Sequence, residues 1–522
     1  MSNISDVVAI GSGHNGLVAA AYLARAGKKV TVLERNSWFG GGVVSRELTA
    51  PGFTHDQHSM AHIMIQHNPL LKNDELGLKS KYGLRYVYPD VPMISVFEDG
   101  QTIRQHKDRN IVAADIGKFS KKDAEAYLRL AGEAEALLPM LLGTLFSPPM
   151  PAGAGFMMMD QSREGRDVWR MMQLSTHDLL REYFEHERTM IHLGRVAGEQ
   201  LVSPDEKSTG IGVMMFVALM QSIGIGVPIG GSGALTAALV ALIRDHGGEV
   251  IANVDVEKII VKNGKAVGAA TRDGVEYHAR DAVIGAIHPH NLGAMIDGLD
   301  PAVDRAAKRT HMTDAACITL HASLNEPLRF KTSEPVDGVM IELVPDSYEQ
   351  MRRAFDELRY GKLMATPMIG LGTLSKFDPS RVPEGKAIVH SWDYVPYDHP
   401  SGKSWDEMKE DYAQRMIAQM GRYIENMTPG NIIGVHIDSP LDMERTSPSF
   451  RRGDLHGVAQ TSYQMGAHRP TPDLGFNTVP EIDGMYLVGP FQPPGGGVFG
   501  AGRATAIRIF DDLDLDFDKV TG

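Results

Sequence analysis

Val7-Val8-Ala9-Ile10-Gly11-Ser12-Gly13-His14-Asn15-Gly16-Leu17 decides the fold. An apolar run stops at a glycine turn, and Leu17, Ala20, Ala21, Leu23 and Ala24 then recur at helical spacing before Lys29-Val30-Thr31-Val32-Leu33. The order is strand, turn, helix, strand. A second strand parallel to the first needs a right-handed crossover, so the opening reads as a βαβ unit and the fold class as α/β, of the Rossmann type.

The same logic reappears downstream. Leu235 to Ile243 reads as a helix stopped at Gly247-Gly248, and strands Val256 to Val261 and Lys265 to Arg272 flank Asn263-Gly264, a pair that favours a type I′ hairpin. Asp273-Gly274 turns the chain again before the strand Ala282 to Ala286, so a β-meander is inserted and returns to the sheet. Residues 121 to 220 are helical by pattern, whereas 315 to 400 alternate strand-like runs such as Cys317 to His321 with helices such as Tyr348 to Leu358. Gly484 to Gly489 is a strand and Gly500 to Phe510 a helix. These blocks give a discontinuous dinucleotide domain, 1–75, 225–290 and 480–522, and a discontinuous α+β substrate domain, 76–224 and 291–479, with a helical, lid-like region. The acidic end from Asp511 to Asp518 reads as a solvated tail.

At 522 residues, the chain should hold two to four structural units at roughly 150 residues each. With 43% hydrophobic and 22% charged residues it has ordinary globular composition. A net charge of -13 repels nucleic acid and anionic membrane, so neither is expected as a main partner. The single cysteine, Cys317, excludes an intramolecular disulfide and a thiolate metal cluster, and no basic region with an apolar cleavage segment opens the chain. A reducing cytoplasm is expected. Two long uncharged stretches, Ala136 to Met159 and Ser208 to Ile243, are broken by Pro139, Pro148, Pro149 and Pro151 and by Gly224, Gly226, Pro228 and Gly230-Gly231, so neither reads as a membrane span.

Gly11-x-Gly13-x-x-Gly16 follows a strand and opens a helix, and Glu34 ends the next strand. Gly11 permits the tight turn, Gly13 lets the backbone approach a pyrophosphate, and Gly16 allows close helix packing, while the helix start offers N–H groups to phosphate. Ser12 and Asn15 belong to the same turn, and Glu34 is expected to accept hydrogen bonds from a ribose hydroxyl. Arg35-x-x-x-x-Gly40-Gly41-Gly42-Val43 continues from Glu34 and places bare backbone where the flavin side of an FAD would pass. Near the C-terminus, Gly489-x-x-x-x-Pro494-Gly495-Gly496-Gly497-Val498-x-Gly500 joins a strand to a helix, leaving room for a flat ring and N–H groups for negative charge on a reduced flavin. The expected cofactor is FAD, bound without a covalent link, and any side chain on Gly496 is expected to strike the ring. No second strand-anchored nucleotide motif is present, which favours dioxygen, a quinone or another carrier as electron acceptor over a separate nicotinamide.

On these motifs, with the central Pro228-x-Gly230-Gly231, Ala237 to Leu239 and Gly247-Gly248, the chain resembles the phytoene desaturase-like branch of the FAD amine oxidase superfamily along its whole length. That branch includes carotenoid desaturases, carotenoid isomerases and retinol saturases. The resemblance implies the fold and FAD, and that Val256 presents its backbone to the adenine. It also implies hydride transfer between an apolar organic substrate and the flavin, most simply desaturation of a carbon–carbon bond. Where the branch commonly reads threonine-histidine-proline before the last glycines, this chain has Gln492-Pro493-Pro494, which weakens the transfer of a carotenoid activity. Amine oxidation is the alternative within the superfamily, and a non-redox isoprenoid-binding escort protein is the alternative outside enzymes. The intact Glu34 and both glycine sites argue against the escort reading.

No acid or base announces itself. His58, in His55-Asp56-Gln57-His58 after the glycine motif, is the candidate for proton exchange, with His62 and His67 behind it, and a structural histidine is the competing reading. Gln492 is the candidate for orienting substrate over the ring; backbone support is its competing role. His288-Pro289-His290 lacks carboxylate or cysteine ligands at metal spacing, so no metal is expected, and Cys317 reads as core. Met157 to Met159, Met171, Met172, Met214, Met215 and Met220 fit either a helical core or an apolar substrate channel, with peripheral membrane docking as a third reading.

Overall fold

The computed structural model describes residues 3–143 and 145–521. Its first sheet runs, in spatial order, Val256–Lys262, Lys265–Thr271, Glu276–Gly285, Ile4–Ile10, Val30–Leu33 and Glu249–Ile251, with Met485–Leu487 also beside Glu276–Gly285. The pairs around Ile4–Ile10 are parallel, Val7 facing Val30 and Ile10 facing Leu33, and the meander strands are antiparallel. Asn263 and Gly264 both adopt positive φ, +51° and +74°, the backbone that a type I′ turn requires and that the Asn-Gly pair anticipates. Helix His14–Arg25 is buried from Asn15 to Ala24. Its small residues let the helices Gly233–Asp245 and Gly502–Asp512 pack closely on it.

A second sheet runs Ile432–Asp438, Ala316–Leu324, Ala387–Val395, Gly370–Gly372, Met340–Leu343, Met93–Val96 and Thr102–Gln105. Every residue of Ala316–Leu324 and of Ala387–Val395 is buried, so both faces of the sheet are covered. Ile318, Leu320 and Ala322 pack with Trp405, Met416 and Met420 of helix Trp405–Tyr423, while Cys317, Trp392 and Tyr394 join the core of the helical region. That region holds Lys121–Leu142, Ala152–Asp160, Arg163–Met171, Thr176–Tyr183, Glu187–Glu199 and Gly210–Gln221. Ser120 and Ser175 start two of these helices by accepting from the backbone N–H groups of Asp123 and Asp178.

Two expectations are corrected. Pro139 lies inside helix Lys121–Leu142 and does not end it. The acidic end is tied down, because the Phe517 ring packs 5.0 Å from Tyr22 and 5.1 Å from Phe510. Apolar residues alternate with those aspartates, so Leu513, Leu515 and Phe517 pack against the core while Asp511, Asp512, Asp514, Asp516 and Asp518 stay exposed to solvent. No helix among the described residues is long and apolar enough to cross a membrane. The first sheet takes its strands from 1–75, 225–290 and 480–522 and the second from 76–224 and 291–479; on that support we propose this partition into two domains.

Candidate active site

Beyond the carboxyl ends of the first sheet's parallel strands, where ligands of open α/β sheets sit, lies a cavity of about 880 Å³. Ile10, Gly11, Gly13, His14, Asn15 and Gly16 form one wall, at the start of helix His14–Arg25. That helix has no side-chain cap, so its first N–H groups stay free for an anion. The second glycine run closes on the first. The Gly40 N–H donates to the Ser12 carbonyl at 3.0 Å, and a Cβ on Gly41 would lie 3.0 Å from the Gly13 Cα. A Cβ on Gly13, in contrast, would meet no protein atom within 4 Å.

Glu34 is buried at the next strand end and faces the same space. Its Oε2 accepts from the Ser12 N–H at 2.8 Å and the Ser12 hydroxyl at 2.7 Å, and its Oε1 accepts from the Asn36 N–H at 2.8 Å. A carboxylate has about four lone-pair sites, so acceptor capacity remains for a ribose. Arg35 lines the cavity too, but its guanidinium donates to the Arg445 and Thr446 carbonyls, tethering the segment that roofs the site. Val256, with Val254, Lys258 and Arg272, also lines the cavity, as do Gly42, Val43, Gly489, Gly496, Gly497 and Val498.

The cradle fits FAD by its own chemistry. His14 Nε2, both amide atoms of Asn15, both ring nitrogens of His58 and His456 Nδ1 are buried with no protein hydrogen-bond partner. Buried polar atoms are normally satisfied, and here they surround bare glycine backbone, a lining suited to a polar, phosphate-bearing ligand. A family model described as flavin containing amine oxidoreductase matches residues 16–347, well over half of the chain. The chain belongs to this family. It is an FAD-dependent oxidoreductase. One of the subunits of limonene dehydrogenase from Castellaniella defragrans is 28% identical, with 98% of this chain and 95% of that protein covered. The lycopene-forming phytoene desaturase of Pseudescherichia vulneris is 24% identical over 98% of this chain and 100% of its own. In fold, an oxidoreductase from Methanosarcina mazei superposes with a TM-score of 0.60 at 18% identity, covering 97% of this chain and 99% of that one.

For this flavin amine oxidoreductase member the structure changes several residue expectations. Ser12 is sealed behind Glu34 and does not line the cavity. Gln492 is buried and does not line the cavity, and both atoms of its side-chain amide are without a protein hydrogen-bond partner. A Cβ on Gly496 would lie 2.2 Å from the His456 Cα and 2.5 Å from its Cβ. The first obstacle to a side chain is therefore protein, not the ring. His58 does line the cavity, its ring 5.3 Å from Phe450, and burial lowers its pKa. His62 is turned away toward the Tyr86 hydroxyl at 2.8 Å, and His67 also lies off the wall. His288 and His290 bond the Gly457 and Thr310 carbonyls. Cys317 lines the cavity from its strand with its thiol pKa pushed well up by burial.

An apolar part of the wall is built by Met60, Ile63, Met64, Ile211, Met215 and Phe216 among others. Of the methionines singled out from sequence, Met215 lines the cavity, Met171, Met214 and Met220 are core, and Met157 and Met158 are exposed. Glu199 is one of the carboxylates on the wall. Its Oε1 accepts from the Tyr394 hydroxyl at 2.8 Å and the Trp392 indole at 3.3 Å, with Arg195 Nη1 at 3.5 Å. Arg195 is fully buried and also meets Glu342 at 2.8 Å; burial raises the Glu342 pKa to about 8. His14 was passed over as a variable position inside the first glycine motif, and Glu199, His390, Tyr394 and His456 were missed because no local motif marks them. The last four reach the cavity from a helix, a strand and a turn far apart in sequence.

Proposed function

We propose that the chain removes hydrogen from a carbon–carbon bond of an apolar, isoprenoid-like substrate. The observation that carries this reading is that the methionine-rich apolar wall and the glycine cradle line one continuous cavity. When bound, the flavin supplies hydride acceptance. The chain's residues do the rest. Met60, Met64 and Met215 adapt to an irregular hydrocarbon and keep water out. His58 and His390, both on the wall and held neutral by burial, offer a nitrogen to the proton left when the hydride departs. The names of two relatives, limonene dehydrogenase and phytoene desaturase, supply the substrate class by analogy.

Amine oxidation is the second reading, favoured by the Glu199 carboxylate, which faces the cavity and would suit an ammonium group. Arg195, Tyr394 and Trp392 already answer that charge, which is why we place it second. For the acceptor we propose a quinone, with dioxygen or another carrier as alternatives. For location we propose the cytoplasm, with membrane contact through helix Ala152–Asp160, which buries none of its residues and exposes Phe156, Met157 and Met158. The deciding experiment is anaerobic mixing of the yellow protein with limonene, phytoene or a diamine. Bleaching by a hydrocarbon and a product lacking two hydrogens is expected; bleaching by the diamine alone would replace this reading with the second.

A further inference from the structure

Three neighbouring strands set three histidines in one row. His436, on the edge strand Ile432–Asp438, stands opposite His321 on Ala316–Leu324, and His321 stands opposite His390 on Ala387–Val395. Directly opposed residues share a face of the sheet. The ring centroids are 4.5 Å apart for His321 and His390 and 6.0 Å apart for His321 and His436. One end of the row is the cavity, whose wall includes His390. The other is the sheet edge, where the His436 side chain is 33% exposed and its Nε2 lies 3.1 Å from Asp438 Oδ1.

Such a row is a poor way to fill a core. Both ring nitrogens of His321 and Nδ1 of His390 are buried without a protein partner, where apolar side chains would pack without that loss. Nearby lie His55, its ring 5.4 Å from His321, His58, and the charged groups Asp438, Arg381 and Arg46. Burial lowers the pKa values of His321 and His390, so both rest as neutral rings. A neutral imidazole has one N–H and one lone pair, and can take a proton at one nitrogen while releasing one from the other.

We propose that His390, His321 and His436 form a proton conduit between the cavity and solvent at the sheet edge. When a carbon–carbon bond is desaturated, a hydride leaves one carbon for the flavin and a proton leaves its neighbour. The rings are not hydrogen-bonded to one another at rest; on rotating so that their unpartnered nitrogens meet, His390, having taken that proton, passes one to His321, His321 passes one to His436, and His436 gives one to water. Each ring gains and loses one proton, so the net result is one proton exported from the cavity to the sheet edge. In the reverse sense, a quinone that gains two electrons and one proton at the flavin needs a second proton to become a hydroquinone, and the row imports it. The export half rests on the desaturation reading; the import half does not.

The test therefore uses no hydrocarbon. Photoreduced holoenzyme is mixed with 1,4-benzoquinone in weak buffer, with a pH-indicator dye following proton uptake and flavin absorbance following reoxidation. His321→Phe, with normal flavin content and circular dichroism, is expected to slow proton uptake at least about tenfold. His436→Ala should slow it likewise and recover when imidazole is added to the buffer, a rescue that a packing role would not give. Wild-type proton uptake in either flavin-replete variant, or a slow His436→Ala that imidazole does not restore, overturns the conduit. If His321→Phe fails to fold, the half-exposed His436→Ala and its rescue decide the matter alone.

Discussion

Gly496→Ala tests whether the C-terminal glycine loop is shaped by protein or by ligand. The new Cβ would sit 2.2 Å from the His456 Cα, where ordinary contact begins above 3.4 Å, so more than 1 Å of movement is required. His456 cannot give way easily. Its N–H donates to Asp454 at 2.8 Å and its carbonyl accepts from the buried Arg469 guanidinium at 2.7 Å. Forcing a methyl into such packing costs about 1 to 3 kcal/mol. If the Gly496–Val498 loop moves instead, FAD affinity falls by the same amount, about fivefold to a hundredfold. Gly13→Ala is the matched control, because its Cβ meets no protein atom and its φ of -57° suits alanine. Melting of the flavin-free proteins and FAD titration are the assays. Gly496→Ala should lower the flavin-free melting temperature and Gly13→Ala should not, while both weaken FAD. A flavin-free Gly496→Ala protein that melts like the wild type would refute the reasoning, since the clash with His456 exists without any ligand.

Glu34→Ala removes the acceptor for the Ser12 and Asn36 N–H groups as well as for a ribose, so FAD affinity should weaken on the order of tenfold to a hundredfold, at about 1.5 to 3 kcal/mol for bonds to a charged group; an unchanged dissociation constant would count against it. His55, His62, His288 and His390 are held near pKa 3 by burial, below their ordinary 6.5. The unfolded chain therefore takes up protons near 6.5 and the folded one only near 3, so the stability they confer is present above pH 6.5 and lost as pH falls toward 3. Between those values each histidine contributes a slope of about 1.4 kcal/mol per pH unit, and urea midpoints that do not fall from pH 7 to pH 5 would contradict the burial. Wild-type protein should cosediment with phosphatidylcholine vesicles, and Met157→Gln with Met158→Gln should weaken this at least about tenfold, at roughly 1.5 to 3 kcal/mol per buried side chain; wild-type protein left in the supernatant would exclude lipid contact through that helix.

What the sequence determined by itself was local. The turn at Gly11 to Gly16, Glu34 at the next strand end, the Asn263-Gly264 hairpin and the C-terminal glycine run are legible because backbone conformation and hydrophobic period are properties of neighbouring residues. They name the fold class and the FAD cradle. What only the tertiary structure decided was which distant residues meet. Gly496 owes its bareness to His456, Gln492 falls outside the wall although it precedes the glycines, and Glu199 is held by Tyr394 and Trp392. The row of His390, His321 and His436 exists only because three strands separated by long stretches of chain pair in one register, and a shift of a single residue would turn each of those rings to the other face. No local pattern encodes that register; it is fixed by the packing of the two faces of the sheet against the helix Trp405–Tyr423 and the helical region.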